Sequence, residues 1–316
     1  MVLLQANHIV KRYSHHTALD DVSISVPAQS IFGLLGPNGA GKTSLIRIIN
    51  QITGPDIGEI FFENEKLNPS HTARIGYLPE ERGLYKKMEV GEQALYLAQL
   101  KGMKKSEAKI KLKEWFVRFE MESWWNKKVE ELSKGMQQKV QFVVTVLHQP
   151  KLIILDEPFS GFDPINANVI KREIFKLKEQ GATVIFSTHN MGSVEELCDN
   201  IALINKSKKI LDGTVKEIRK AHKSNTFEIT YTGSAMAFAN ALWNGAKILE
   251  QSKEEDVNKV TLRLQAGHKI NDVLQSLLPV VEINGIIEII PGMNEIFISK
   301  VKEQQPEMKI VHTLTE

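Results

Sequence analysis

The sequence predicts an α/β fold: a parallel-sheet core, interrupted by a helical insertion and followed by a smaller α+β domain. Three observations predict it. Residues 151–155 and 183–187 are largely continuous apolar runs, as expected of strands buried on both faces, with a helical stretch, 165–180, between them. A further β-rich run, 31–35, opens onto a glycine-rich turn and then an apolar helical stretch, 42–50. Beyond residue 225 the pattern changes to strand, helix, strand, strand, helix, strand, the order of a ferredoxin-like domain.

Taken in order, residues 22–26 and 31–35 read as strands, 42–50 as a helix and 59–62 as another strand. Residues 91–120 change period: Leu95, Leu97, Ala98, Ile110, Leu112, Trp115, Phe116 and Phe119 recur at helical spacing. They define an inserted helical subdomain over about 88–145. The β-rich pattern then resumes and closes a first domain, 1–215. Residues 216–225 are basic and weakly apolar, and read as a linker. The second domain, 226–316, carries strands at 227–231, 246–250, 260–264 and 281–290. Helices are expected at 236–243 and 271–278, with a last ordered run at 294–301 read as helical.

The 316 residues fit two domains of ordinary size. With 42% hydrophobic and 25% charged residues, the chain carries enough apolar material for a core. A net charge of +2 singles out no partner class. The basic stretches 101–113 and 206–223 read as solvated faces, so no nucleic acid is expected. Cys198 is the only cysteine, which excludes an internal disulfide and fits a reducing compartment. Its apolar surroundings mark it as a small core residue rather than a nucleophile. The N-terminus lacks the apolar core of a signal peptide, and no uninterrupted apolar run reaches the roughly 18 residues needed to cross a bilayer. Any spanning of a membrane would fall to another chain.

The strongest local signal is Gly36-Pro37-Asn38-Gly39-Ala40-Gly41-Lys42-Thr43, followed by Ser44. It matches G-x-x-x-x-G-K-[ST] between a strand and a helix. The glycines let the backbone turn sharply and aim N–H groups at phosphate oxygens. The following helix presents its positive end to the same anion. Lys42 supplies a mobile point charge for β- and γ-phosphates. The Thr43 hydroxyl suits Mg²⁺, and Ser44 can reach a phosphate.

The run 152–155 ends in Asp156 and Glu157. An Asp at the mouth of such a strand can hold Mg²⁺. Glu157, expected on the opposite face, can polarise a water. Alone, an apolar run closed by two acids is weak, because polar residues often end strands. Beside a phosphate loop it gains meaning.

These pieces, in this order, resemble the nucleotide-binding subunit of ABC transporters over residues 1 to about 215. Tyr13 sits where that family stacks an aromatic on adenine, and Glu80 where it usually has the glutamine of its Q-loop. Leu132-Ser133-Lys134-Gly135-Met136 sits at the signature, usually L-S-G-G-Q. Asp156 and Glu157 look like the Walker B aspartate and catalytic glutamate, Asp163 closes the D-loop, and His189 looks like the switch histidine. Singly, Tyr13 reads as a strand residue, Ser133 as a helix cap and His189 as a structural histidine. Their joint order is what carries the likeness. Lys134, Met136 and Glu80 depart from the family pattern. Ser133 and Gly135 keep a hydroxyl and a Cβ-free N–H at a helix start, and a carboxylate at Glu80 still suits Mg²⁺.

The resemblance implies a P-loop NTPase (RecA-like) core with an N-terminal β subdomain. It implies ATP and Mg²⁺ as ligands, with Ser133, Gly135 and Asp163 meeting a nucleotide held by a second cassette. Lys42, Glu157 and His189 would act in hydrolysis, and Thr43, Glu80 and Asp156 would hold the metal. The implied partners are that second cassette, a further copy of this chain or a related subunit, and a membrane-spanning permease in another chain, gripped near 80–88 and Trp124-Trp125. The implied location is cytoplasmic, peripheral at the inner face of the cell membrane. The tail, with Pro291-Gly-Met-Asn294-Glu-Ile-Phe297, is similar to the extension of sodium- or drug-efflux cassettes, as an aid to dimerisation or regulation or as a stabilising appendage. No metal-ligand spacing joins His268 to His312. Two other classes stay open: a soluble ABC ATPase uncoupled from transport, and a low-turnover nucleotide sensor.

Overall fold

The computed structural model describes residues 1–80, 83–160, 162–242 and 245–304. The chain divides into two compact units, Met1–Val215 and Lys216–Glu316. His312, named above, and Trp243, the end of the helix expected at 236–243, lie outside the described residues, as does Gly161 of the D-loop stretch.

The first unit opens with β1 (Val2–Tyr13) and β2 (His16–Pro27), an antiparallel pair whose register shifts several times. β3 (Ile31–Leu35), entirely buried, runs into the glycine-rich turn and α1 (Lys42–Ile49). β4 (Ile57–Phe62) and β5 (Glu65–Lys66) complete a first sheet in the order β2-β1-β4-β5. After β6 (Ile75–Leu78) come α2 (Val90–Leu100), α3 (Lys105–Arg118) and α4 (Lys134–Val146). Glycine 102, at φ 86, separates α2 from α3, so the expected helical stretch is two helices. α3 meets α4 through Trp115, whose ring lies 6.2 Å from that of Phe142. Trp125 packs against Phe116 at 5.2 Å, and a Cβ on Gly91 would sit 2.4 Å from its ring. That tryptophan, half-buried, is packed within the helical region.

β7 (Leu152–Asp156), α5 (Pro164–Glu179), β8 (Thr183–Thr188), α6 (Met191–Leu197), β9 (Asn200–Asn205) and β10 (Lys208–Thr214) follow. The second sheet has the order β10-β9-β3-β8-β7-β6 and is parallel except at β10. Leu45, Ile46, Ile48 and Ile49 of α1 share one core cluster with Leu4, Val22 and Phe62 of the first sheet and Leu34, Ile154 and Ile185 of the second. The helix that follows the glycine turn is thus clamped between two sheets, which fixes the turn itself. Cys198 is buried in this unit, its thiol pushed up to about 12 by burial, as expected of a core residue.

Residues 216–225, expected as a linker, instead include most of α7 (Val215–Ala221). Val215 and Ile218 are buried beneath a basic outer face, and good helix formers supply the rest. In the second unit β11 (Thr226–Thr232), α8 (Ala235–Ala241), β12 (Ala246–Glu254), β13 (Val257–Leu264), α9 (Ile270–Leu277) and β14 (Glu282–Ile289) form an antiparallel sheet in the order β12-β13-β11-β14. That is the ferredoxin-like strand order. Phe238 of α8 and Leu277 of α9 pack with Ile229, Tyr231, Val260 and Leu262 of the sheet. α10 (Met293–Glu303) ends the described chain. No helix among the described residues is long and apolar enough to cross a membrane.

Candidate functional site

The glycine turn is built by close approach. Gly36 adopts φ 149, and a Cβ there would lie 2.2 Å from the Ile204 carbonyl oxygen of β9. Gly41, which caps α1, adopts φ 116, and its Cβ would lie 2.3 Å from the Ala18 carbonyl oxygen of β2. Any side chain at either position would push the turn off one of the two sheets.

A cleft of ≈ 310 Å³ opens over this turn, lined by Tyr13, His16, Ala18, the run 38–44, Glu80, Asp156 and Glu157. Within that run, Asn38, Gly39, Ala40, Gly41, Lys42, Thr43 and Ser44 all face it. Gly36 and Pro37 lie behind it, where their carbonyls accept from the Lys42 ammonium at 2.7 and 3.2 Å. Burial pulls the Lys42 pKa down, against the pull of Glu157, Asp156 and Glu80. Among the described residues lining the cleft, Lys42 is the only Lys or Arg, facing three carboxylates.

Asp156 is 2% exposed at the end of β7. Burial holds its carboxyl above the usual carboxylate range, opposed by the Ser187 hydroxyl and more weakly by Lys42, with Glu80 and Glu157 adding. The sign for stability follows from that direction. A raised acid pKa disfavours the charged carboxylate in the fold, so the nucleotide-free protein loses stability as pH climbs from the ordinary value of 3.8 through the raised one. Asp156→Asn is therefore expected to melt higher than the wild type at pH 7, with the gap closing toward pH 4, by calorimetry without nucleotide. A lower midpoint for the variant at pH 7 would contradict this.

Glu157 does not continue the strand. Its φ of 46 turns the chain, so its carboxylate shares the cleft with Asp156 rather than pointing to the opposite face. Three contacts aim the carboxylate and leave Oε2 able to accept once more. Oε1 accepts from the His189 backbone N–H at 3.0 Å and meets its ring Nδ1 at 2.7 Å, and Oε2 accepts from the Thr188 hydroxyl at 3.1 Å. His189, following β8, reaches the cleft through this contact and not by lining it.

Oxygen is the only kind of side-chain donor offered by Thr43, Asp156 and Glu80. That set suits a hard divalent cation. Among the described residues no three acidic, His or Cys side chains gather tightly enough to cage an ion unaided. A partial set of this kind suits a cation such as Mg²⁺, which keeps waters and phosphate oxygens as ligands.

The remaining expected residues are not brought to this cleft. Ser133 is the exposed N-cap of α4, its hydroxyl accepting from the Met136 N–H at 3.3 Å. Gly135 has room for a Cβ, which would meet nothing nearer than Phe162 at 3.7 Å. Asp163 caps α5, accepting from the Ile165 and Asn166 N–H groups at 3.0 Å, and those backbone bonds hold its carboxyl below the usual range. α4 is tied to the Asp163 stretch by Gln138, whose amide donates to the Ser160 carbonyl. His16 and Ala18 line the cleft without having been singled out. Their signal was two residues of a strand start beside Tyr13, with which His16 pairs.

A second hollow, ≈ 360 Å³, lies where the helical region meets the parallel sheet, lined by Tyr77, Pro79, Leu84, Leu97, Leu100 and Val144 among others. At its edge the Lys101 ammonium donates to the Thr72 and Ile75 carbonyls at 2.9 Å, so this lysine is not part of a solvated face.

Residues 19–160 match the family model described as ABC transporter, and residues 213–301 the one described as ATP-binding protein DrrA1-3-like, C-terminal domain. The chain is similar to the ABC transporter ATP-binding protein YhaQ of Bacillus subtilis (strain 168), with 40% identity over 303 residues, 95% of this chain and 98% of YhaQ. It is similar to the linearmycin resistance ATP-binding protein LnrL of the same organism, with 30% identity over 272 residues, 85% of this chain and 88% of LnrL. A solved ATP-binding subunit of an ABC transporter superposes with a TM-score of 0.65 at 30% identity, covering 69% of this chain and 92% of that one.

Proposed function

This chain belongs to the family of ABC transporter ATP-binding proteins, whose activity is ATP hydrolysis, and from that premise we propose that two copies hydrolyse Mg-ATP head to tail to drive a membrane-spanning partner. The observation that carries the pairing is a separation. Tyr13, the loop 38–44, Glu80, Asp156 and Glu157 line one cleft, while Ser133 and Gly135 present a helix start elsewhere on the same chain. A second copy brings its own helix start to the exposed side of the nucleotide, where N–H groups at a positive helix end suit a γ-phosphate.

In that site Tyr13 receives the base, and the N–H groups of the loop receive the phosphates. Lys42 leaves the carbonyls of Gly36 and Pro37 for the β- and γ-phosphate oxygens. Mg²⁺, held by Thr43, Asp156 and Glu80, supplies charge neutralisation to the phosphates when bound. Glu157 accepts the proton of a water whose oxygen attacks the γ-phosphorus, as the bond to the ADP oxygen breaks. His189 keeps the carboxylate aimed, and its Nε2 is left to face the γ-phosphate.

The apolar hollow at Leu84, Leu97 and Leu100 is read as the seat of the partner, which holds the chain at the inner face of a membrane. An outward direction of transport is supported by LnrL, named for linearmycin resistance, the outcome that drug removal would give. The test is a single thiol. Cys198 is buried, so a cysteine placed at Leu100, 65% exposed, is the accessible one. A short bifunctional maleimide–amine reagent on membranes from expressing cells is expected to link Leu100→Cys to an integral membrane chain. An assembled membrane complex that gives no such product would sink the assignment of this hollow.

A further inference from the structure

The base and phosphate ends of the cleft come from different sheets. Tyr13 and His16 stand at the tip of the β1–β2 pair in the antiparallel sheet, and the phosphate loop leaves β3 of the parallel one. A nucleotide spanning both needs their separation fixed. One residue outside the cleft is bonded to both sides.

Ser207 sits in the turn between β9 and β10 and is 7% exposed. Its N–H donates to the Ala40 carbonyl of the phosphate loop at 3.2 Å. Its carbonyl accepts from the Asp20 N–H of β2 at 2.8 Å. Its hydroxyl donates to the Thr17 carbonyl at 2.5 Å. Thr17 lies between His16 and Ala18, both lining the cleft, and pairs with Arg12 beside Tyr13. The same hairpin presses on the loop at Gly36 through the Ile204 carbonyl. Ser207 also adopts φ 68, a conformation that glycine takes without strain and serine does not. The turn alone would be better served by glycine. What the side chain adds is the bond to Thr17.

We propose that Ser207 is a positioning residue for ATP, its hydroxyl holding the Tyr13–His16 tip at the distance from the phosphate loop that one nucleotide spans. This rests on reading Tyr13 as the platform for the base. Ser207→Gly removes the hydroxyl, keeps both backbone bonds and relaxes the turn, so folding is not at stake.

The experiment titrates the full chain by calorimetry, in Mg²⁺, with a non-hydrolysable ATP analogue and with inorganic tripolyphosphate, and measures steady-state turnover with ATP. Ser207→Gly is expected to weaken ATP binding roughly threefold to tenfold, the worth of one hydrogen bond. Its kcat and its affinity for tripolyphosphate stay at wild-type values, because the phosphate side is untouched. In a Tyr13→Ala background, itself weakened for ATP, Ser207→Gly is expected to add little, since both act on one subsite. Wild-type ATP affinity in Ser207→Gly, with Tyr13→Ala weakened, overturns the proposal. An equal loss for tripolyphosphate overturns it too, by showing a general loosening of the loop. If Tyr13→Ala binds ATP normally, the reading of the base platform fails, and the role of Ser207 fails with it.

Discussion

Glu157→Gln is expected to lower ATP turnover by roughly 10²–10⁴-fold, the usual contribution of a general base, while ATP stays bound. The geometry makes this a clean substitution. A glutamine oxygen still accepts the His189 N–H now 3.0 Å from Oε1, and the turn at φ 46 is the same for either side chain. What disappears is a group that can take a proton from water. With hydrolysis blocked, two copies joined by ATP should persist, and light scattering of the variant with Mg-ATP should report a mass near twice the monomer's 35.7 kDa. Hydrolysis at the wild-type rate would remove Glu157 from the role of base.

Lys42→Ala is expected to weaken ATP binding by roughly 10- to 100-fold, the worth of a charge-assisted hydrogen bond, and to cut turnover at least as far. The cause lies in the charge of the cleft. Removing Lys42 leaves three carboxylates with no ammonium among the lining residues, and the incoming phosphates add to that excess. Lys42→Arg should rescue poorly, because Lys42 is buried and its ammonium is bonded to two carbonyls, with little room for a planar guanidinium. Equilibrium titration with a fluorescent ATP analogue separates the two variants from the wild type. Undiminished binding by Lys42→Ala would show that the loop N–H groups suffice.

Much of this arrangement was legible in the sequence, for identifiable reasons. The run 31–35 coincides with β3 because strands buried on both faces are apolar throughout, and the glycine turn is confined by the carbonyls of Ile204 and Ala18. The order of the second unit was readable because its inward residues, such as Ile229, Tyr231, Val260 and Leu262, alternate cleanly. β1 was harder to see. Its pairing shifts register repeatedly and His8 lies at φ 52, so the alternation breaks. β12 extends to Glu254 although its end is charged, because an exposed edge strand needs no apolar face.

The site was legible as a set of residues and not as a place. Nothing along the chain says that Ser133 and Gly135 stand apart from the cleft that holds Lys42. Nor does it say that Glu157 turns back beside Asp156, which depends on one backbone angle. His16 and Ser207 carry no motif. Their importance comes from contacts between segments far apart in sequence, such as Ser207 with Thr17.

The most direct test of a site shared by two copies is ATP turnover per chain as a function of protein concentration. A head-to-tail pair predicts that turnover per chain falls toward zero on dilution and rises to a plateau as copies associate. It also predicts that Ser133→Arg, remote from the cleft of its own chain, lowers that plateau sharply while each chain still binds ATP. Turnover per chain that is constant across concentration, together with a fully active Ser133→Arg, would contradict the shared site and assign hydrolysis to the single cleft alone.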